Sequence, residues 1–137
     1  MTPKEYLQQI RTMDILINRK REEVKNLRSL VDLNAVDYSG DRVQKTSNHD
    51  RMADVICKIV DLENEIAGDI EKLLGIKRDV MKTIDEVGEP ELIDLLYRRY
   101  VRFEKWEKIA YKMNYSLRGI HKLHGKALNS IENKVVH

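Results

Sequence analysis

Arg118, His121, Lys122 and Lys126 fall within one stretch at the spacing of a helix surface, and Arg98, Arg99 and Arg102 cluster just upstream. Guanidinium and ammonium groups in such a pattern neutralise phosphates, and an arginine can also donate two parallel hydrogen bonds to a guanine edge. The chemistry they suggest is nucleic-acid binding rather than catalysis. No nucleophile–base signature, phosphate-cradling glycine loop or metal-ligand cluster stands out in the chain, so neither enzyme activity nor a cofactor is expected. His121 and His124 are three residues apart, but no cysteine or third ligand accompanies them and no metal site is expected. The single cysteine, Cys57 between Ile56 and Lys58, forms no intrachain disulfide and reads as an inert, partly buried thiol. Asp61, Glu63 and Glu65 read as a solvated helix face.

These residues sit in a chain of 137, of which 35% are charged and 42% hydrophobic, with six glycines and two prolines. Charge is above the roughly 25% of an average domain and turn residues are scarce, a composition that favours long amphipathic helices over many short hairpins. The net charge of +2 conceals an asymmetry. Residues 1–88 carry 15 basic and 17 acidic side chains, whereas 96–128 carry nine basic and two acidic ones. A split of this kind marks a nucleic-acid contact. No apolar run approaches the roughly 18 residues of a membrane span, and the first residues lack the apolar stretch of a signal peptide. A cytoplasmic location without membrane contact is expected.

The elements that must position the basic residues are helical. Thr2-Pro3-Lys4-Glu5 has the order of a capping box with proline at the first helical position. Ile10, Ile17, Val24 and Val31 then form one heptad row, and Tyr6, Met13 and Leu27 a second, with Lys20 as its polar exception. Leu7, Leu16 and Leu30 widen the stripe. Asn34 to Asn48 carries turn chemistry, including Asp37-Tyr38-Ser39-Gly40-Asp41, and predicts an exposed connector with Ser47 or Asn48 capping the next helix. From about 49 to 87 the heptads resume: Met52, Ile59, Ile66, Leu73, Val80 and Val87 in one row, Val55, Leu62 and Ile76 in the other, interrupted by Asp69 and Thr83. Gly68 and Gly75 fall inside this helix, where either would mark a bend or a close helix contact, and Gly88-Glu89-Pro90 ends it. The two stripes can close on each other as an antiparallel hairpin or form a dimer interface. The spacing leaves both open, and a homodimer through the N-terminal helices is expected.

After Pro90 three shorter helices follow, at about 91–101, 105–113 and 116–132. Trp106, Ile109, Ala110 and Met113 face inward on the second, with Trp106 a core residue and Ala110 the small residue where the next helix crosses. Asn114-Tyr115 supplies the turn and Ser116 caps the third helix. Two short helices joined by such a turn form a helix-turn-helix, whose second helix reads base edges with its first turns. Ile120 and Leu123 would face the core, leaving Leu117, Arg118, Gly119, His121, Lys122 and Lys126 outside, with glycine at 119 allowing close backbone approach to DNA. The fold class is therefore all-α: a long helical hairpin or coiled coil over 1–88, then a three-helix helix-turn-helix domain over 89–137. The DNA-binding set is Ser116, Leu117, Arg118, Gly119, His121, Lys122, Lys126, Arg98, Arg99 and Arg102.

Leu96-Tyr97-Arg98-Arg99-Tyr100, Trp106-Glu107-Lys108-Ile109-Ala110, Tyr115 to Leu123 and Ala127-Leu128-Asn129-Ser130-Ile131 together resemble region four of bacterial sigma factors. The same tail is similar to that of ArpU-type phage late-transcription regulators and related small phage proteins of uncharacterised function. The likeness spans about 92–132. Glu104 or Lys105 stands where the family caps its first motif helix with serine or threonine, and Gly125 interrupts the last helix. No segment resembles the promoter-melting region two, so a complete sigma factor is not expected. The resemblance implies a phage or prophage regulator in the cytoplasm of a bacterial host, with double-stranded DNA and RNA polymerase as partners, because region four also binds the polymerase flap. A helical protein–protein adaptor or scaffold without DNA binding is the competing expectation, supported by the length of the heptad region.

Overall fold

The computed structural model describes residues 1–36 and 42–135. The chain is all-helical, and no strand occurs among the described residues. Helix α1 spans Pro3–Val36, α2 Arg42–Asp85, α3 Pro90–Leu96, α4 Trp106–Met113 and α5 Leu117–Val135; a π-helical turn, Tyr97–Val101, directly continues α3. The start of α1 is the capping box that its first residues predict. Thr2 Oγ1 accepts the Glu5 N–H at 3.1 Å, and Glu5 Oε2 accepts the Thr2 N–H at 3.3 Å.

The connector is shorter than the turn chemistry suggests. Helix α1 continues to Val36 and α2 begins at Arg42, so Ser47 and Asn48 lie inside α2 rather than at its cap. Extending a formed helix gains one backbone hydrogen bond per residue, which outweighs the weak preference of Thr46, Ser47 and Asn48 for turns. The expected turn Asp37 to Asp41 lies outside the described residues. At its other end α2 stops at Asp85, two residues before the expected Val87. Gly88, at φ 86°, takes the left-handed conformation that reverses the chain. Helix α2 runs unbroken through Gly68 and Gly75, and beyond the adjoining residues and the helix's own backbone no atom of the described residues lies within 4 Å of a Cβ placed at either. Neither glycine marks a close helix contact among the described residues. Cys57 is exposed, not partly buried.

The chain forms two compact units, residues 15–71 and residues 1–14 with 72–137. In the first, the α1 and α2 segments pair antiparallel. Ile17, Val24 and Ile59 are buried along the seam. Leu27, Val31, Met52, Val55, Leu62 and Ile66 are partly buried beside them. The polar exceptions of the two heptad patterns meet each other, with Lys20 Nζ 2.6 Å from Asp69 Oδ2 and 3.5 Å from Glu65. Arg28 pairs with Glu63 on the flank. The hairpin is thus intramolecular, and the heptad rows are consumed within one chain.

In the second unit the ends of α1 and α2 are likewise matched, the Tyr6 and Thr83 hydroxyls lying 3.0 Å apart. Leu7, Ile10, Val80 and Ile84 share one core with Leu92, Leu95, Leu96, Tyr100, Ile109, Ala110, Ile120, Ala127 and Ile131. The C-terminal helices therefore bury their apolar faces together with the ends of α1 and α2. No helix among the described residues is long and apolar enough to cross a membrane.

Candidate nucleic-acid interface

Two local devices set the geometry of the helix-turn-helix. At the end of α4, Asn114 adopts φ 60°, ψ 42°. Its N–H donates to Tyr111 O at 3.3 Å and the Tyr115 N–H donates to Ala110 O at 2.9 Å. This is a Schellman turn with asparagine in the left-handed position, a residue that tolerates it better than most. Ser116 then caps α5, its Oγ accepting the Gly119 N–H at 3.0 Å. A Cβ at Gly119 would lie 3.1 Å from Ser116 Oγ and 3.3 Å from Tyr115 Cδ1. Within the chain, glycine at 119 makes room for the cap and the tyrosine ring.

Packing of α5 divides its faces as its spacing predicts. Ile120, Ala127 and Ile131 are buried, and Leu123 and Leu128 pack partly buried against the same core. Ser116, Leu117, Arg118, His121, Lys122 and Lys126 are exposed, and Gly119 is half-buried. Arg118 and Lys122 have no ion-pair partner among the described residues, and neither has Arg102 in the loop before α4. Lys126 lies 3.5 Å from Glu89 in an open ion pair. The His121 ring rests 4.8 Å from that of Trp106.

Arg98 and Arg99 are differently placed. The Arg98 side chain is only 19% exposed, with Nε 3.1 Å from both Asp94 carboxylate oxygens and Nη1 3.4 Å from Glu104 Oε2. Arg99 donates through Nη1 to the Glu104 carbonyl at 3.0 Å and stacks 4.7 Å over Trp106. Both brace the loop Arg102 to Lys105, in which Phe103 takes the left-handed conformation at φ 57°. Glu104 is the hub of this brace. It is buried and lies within 4 Å of Lys108, Lys112 and Arg98. Burial raises its pKa, but the Lys112 hydrogen bond and the charges of Lys112, Arg98 and Lys108 outweigh that, so the net direction is down. The N-cap position itself belongs to Lys105, whose side chain makes no cap bond.

Behind this surface lies an aromatic cluster. Tyr100 Oη is 2.6 Å from His124 Nε2, and Trp106 meets the His124 ring edge-on at 4.6 Å. Burial, aided by the charges of Lys4, His121 and Arg99, lowers the His124 pKa to about 4. Burial pushes the Tyr100 hydroxyl up to about 12. With the imidazole neutral and the phenol protonated, Oη and Nε2 share one hydrogen bond whose donor is set by the imidazole tautomer. Trp106 packs against the core, with its ring held between Arg99 and the two histidines. Among the described residues, no group of three or more histidines, cysteines or carboxylates is arranged to hold a metal.

Tyr111, 84% exposed on α4, is absent from the sequence-derived set. Its signal was the helical period itself: placing Trp106, Ile109, Ala110 and Met113 inward turns Glu107, Lys108, Tyr111 and Lys112 outward. No protein-family model, curated protein or solved structure matches the chain.

Proposed function

We propose that the protein is a DNA-binding transcription regulator of a phage or prophage, with α5, residues 116–132, docked in the major groove. One observation carries this reading. The Ser116-capped start of α5 presents Arg118 and Lys122 to solvent without ion-pair partners among the described residues, while the opposite face of the same helix is locked into the core. Cations left uncompensated on a rigid helix beside a tight turn are suited to phosphates and base edges. Arg102 adds a phosphate contact, and Lys126 exchanges Glu89 for phosphate. Arg98 and Arg99 support the interface by holding the loop before α4. By its resemblance to sigma region four, the same unit has RNA polymerase as a second partner.

A reader of this size gains specificity from a second copy or partner. Because the heptad seam is filled within the chain, a homodimer through the N-terminal helices uses other residues. Ile15, Leu16, Leu30, Leu33, Ile56 and Val60, all in the unit 15–71, are exposed and apolar. The same residues favour the second reading, a helical adaptor that binds protein alone.

The test is binding of the full chain to a labelled fragment from its own genomic neighbourhood, with unlabelled competitor. The expected result is retention against random competitor and its loss in Arg118→Ala. Absence of binding even at low salt would rule out DNA as a partner of the protein alone. The apolar residues of the hairpin would then be the functional surface.

A further inference from the structure

We infer that Leu117 is a specificity-determining residue that reads the 5-methyl group of a thymine in the major groove. The inference rests on the DNA-binding reading and deepens it. Helix α5 buries or half-buries its other large apolar side chains, namely Ile120, Leu123, Leu128 and Ile131. Leu117, the first residue of the helix, is 46% exposed. The cap bond comes from Ser116 and not from this position, and first-turn positions favour proline or acidic residues. Its immediate neighbour Arg118 is exposed and has no ion-pair partner among the described residues, so the apolar side chain interrupts a surface otherwise suited to phosphate. A leucine cannot bond a phosphate or a base donor. The apolar feature of the base edges in the major groove is the thymine methyl, and the first turn of a recognition helix reaches those edges.

The experiment starts from the full chain and a random-sequence duplex pool. The enriched duplex is remade with deoxyuridine in place of one thymine at a time, which removes only the methyl. Replacement at one or two positions is expected to weaken binding about fourfold, the effect of burying one methyl-sized group. Leu117→Ala is expected to bind the thymine and uridine duplexes equally there, with its helical circular dichroism unchanged. Arg118→Ala is expected to weaken both duplexes in parallel and to keep their ratio. Equal binding of every uridine duplex by the unaltered protein overturns the inference, and so does discrimination that survives in Leu117→Ala. A pool that never enriches is a separate result, which removes the DNA-binding reading itself.

Discussion

His124 shows how one residue in the C-terminal unit acquires a role that its sequence neighbours do not reveal. Spacing places it near His121, as if for a shared ligand, but the fold turns it to Tyr100 and Trp106. Its pKa falls from 6.5 to about 4, first through burial and then through Lys4, His121 and Arg99. The unfolded chain therefore takes up a proton near pH 6.5 that the folded chain refuses until about pH 4. Stability tied to this group is present above the upper value and is lost progressively across that window as pH falls. Urea unfolding midpoints should accordingly drop between neutral and acid pH. In His124→Gln that pH dependence should be shallower, even if the midpoint at pH 7 is lower. Parallel slopes in the two proteins would show that His124 does not titrate as described. Lys4 and Arg99 lie far from His124 in sequence, so no local pattern announces the shift.

At the scale of elements, much was legible. The capping box at Thr2 and Glu5, the heptad rows and the Ser116 cap all appear where residue order puts them, because each depends on contacts within a few residues or on one repeating period. The polar interruptions Lys20 and Asp69 make the hairpin testable. Reversing either charge places like charges together on the seam, so Lys20→Asp and Asp69→Lys should each lower the thermal midpoint. The double variant should recover most of the loss, whereas additive losses would mean that the two residues do not face each other. Asn114 gives a second test. Alanine there, forced into the left-handed region, should cost about 1 kcal/mol, and glycine should be neutral or slightly stabilising, both readable from denaturant midpoints. The π-helical turn and the left-handed Phe103 have no signature in the residue order. The Glu104 hub joins Arg98 of the π-helical turn to Lys108 and Lys112 of α4, whereas Glu104 by position alone resembles a helix cap.

For the whole molecule, the charge split between residues 1–88 and 96–128 was visible in the sequence, but the number of available cations was not. Folding commits Arg98, Lys108 and Lys112 to Glu104, and leaves Arg102, Lys105, Arg118 and Lys122 free of ion pairs among the described residues, the last two on α5. Lys126 pairs with Glu89 and 63% of its side chain is exposed, so a phosphate can displace the carboxylate. If α5 docks on DNA as proposed, three to four phosphate contacts predict that log binding constant falls with log salt at a slope of about −3 to −4. Lys122→Glu should make that slope shallower by about 1 and weaken binding to specific and random DNA alike. Glu89→Gln, by releasing Lys126, should tighten binding by no more than about fivefold, the upper range for an exposed ion pair. Docking of a protein partner on Ile56, Val60 and their neighbours would respond in the opposite way. It should persist as salt rises and be lost in Ile56→Glu rather than in Lys122→Glu. A titration of each variant from low to moderate salt, against DNA and against the captured partner, therefore assigns the activity either to the cationic face of α5 or to the apolar flank of the hairpin.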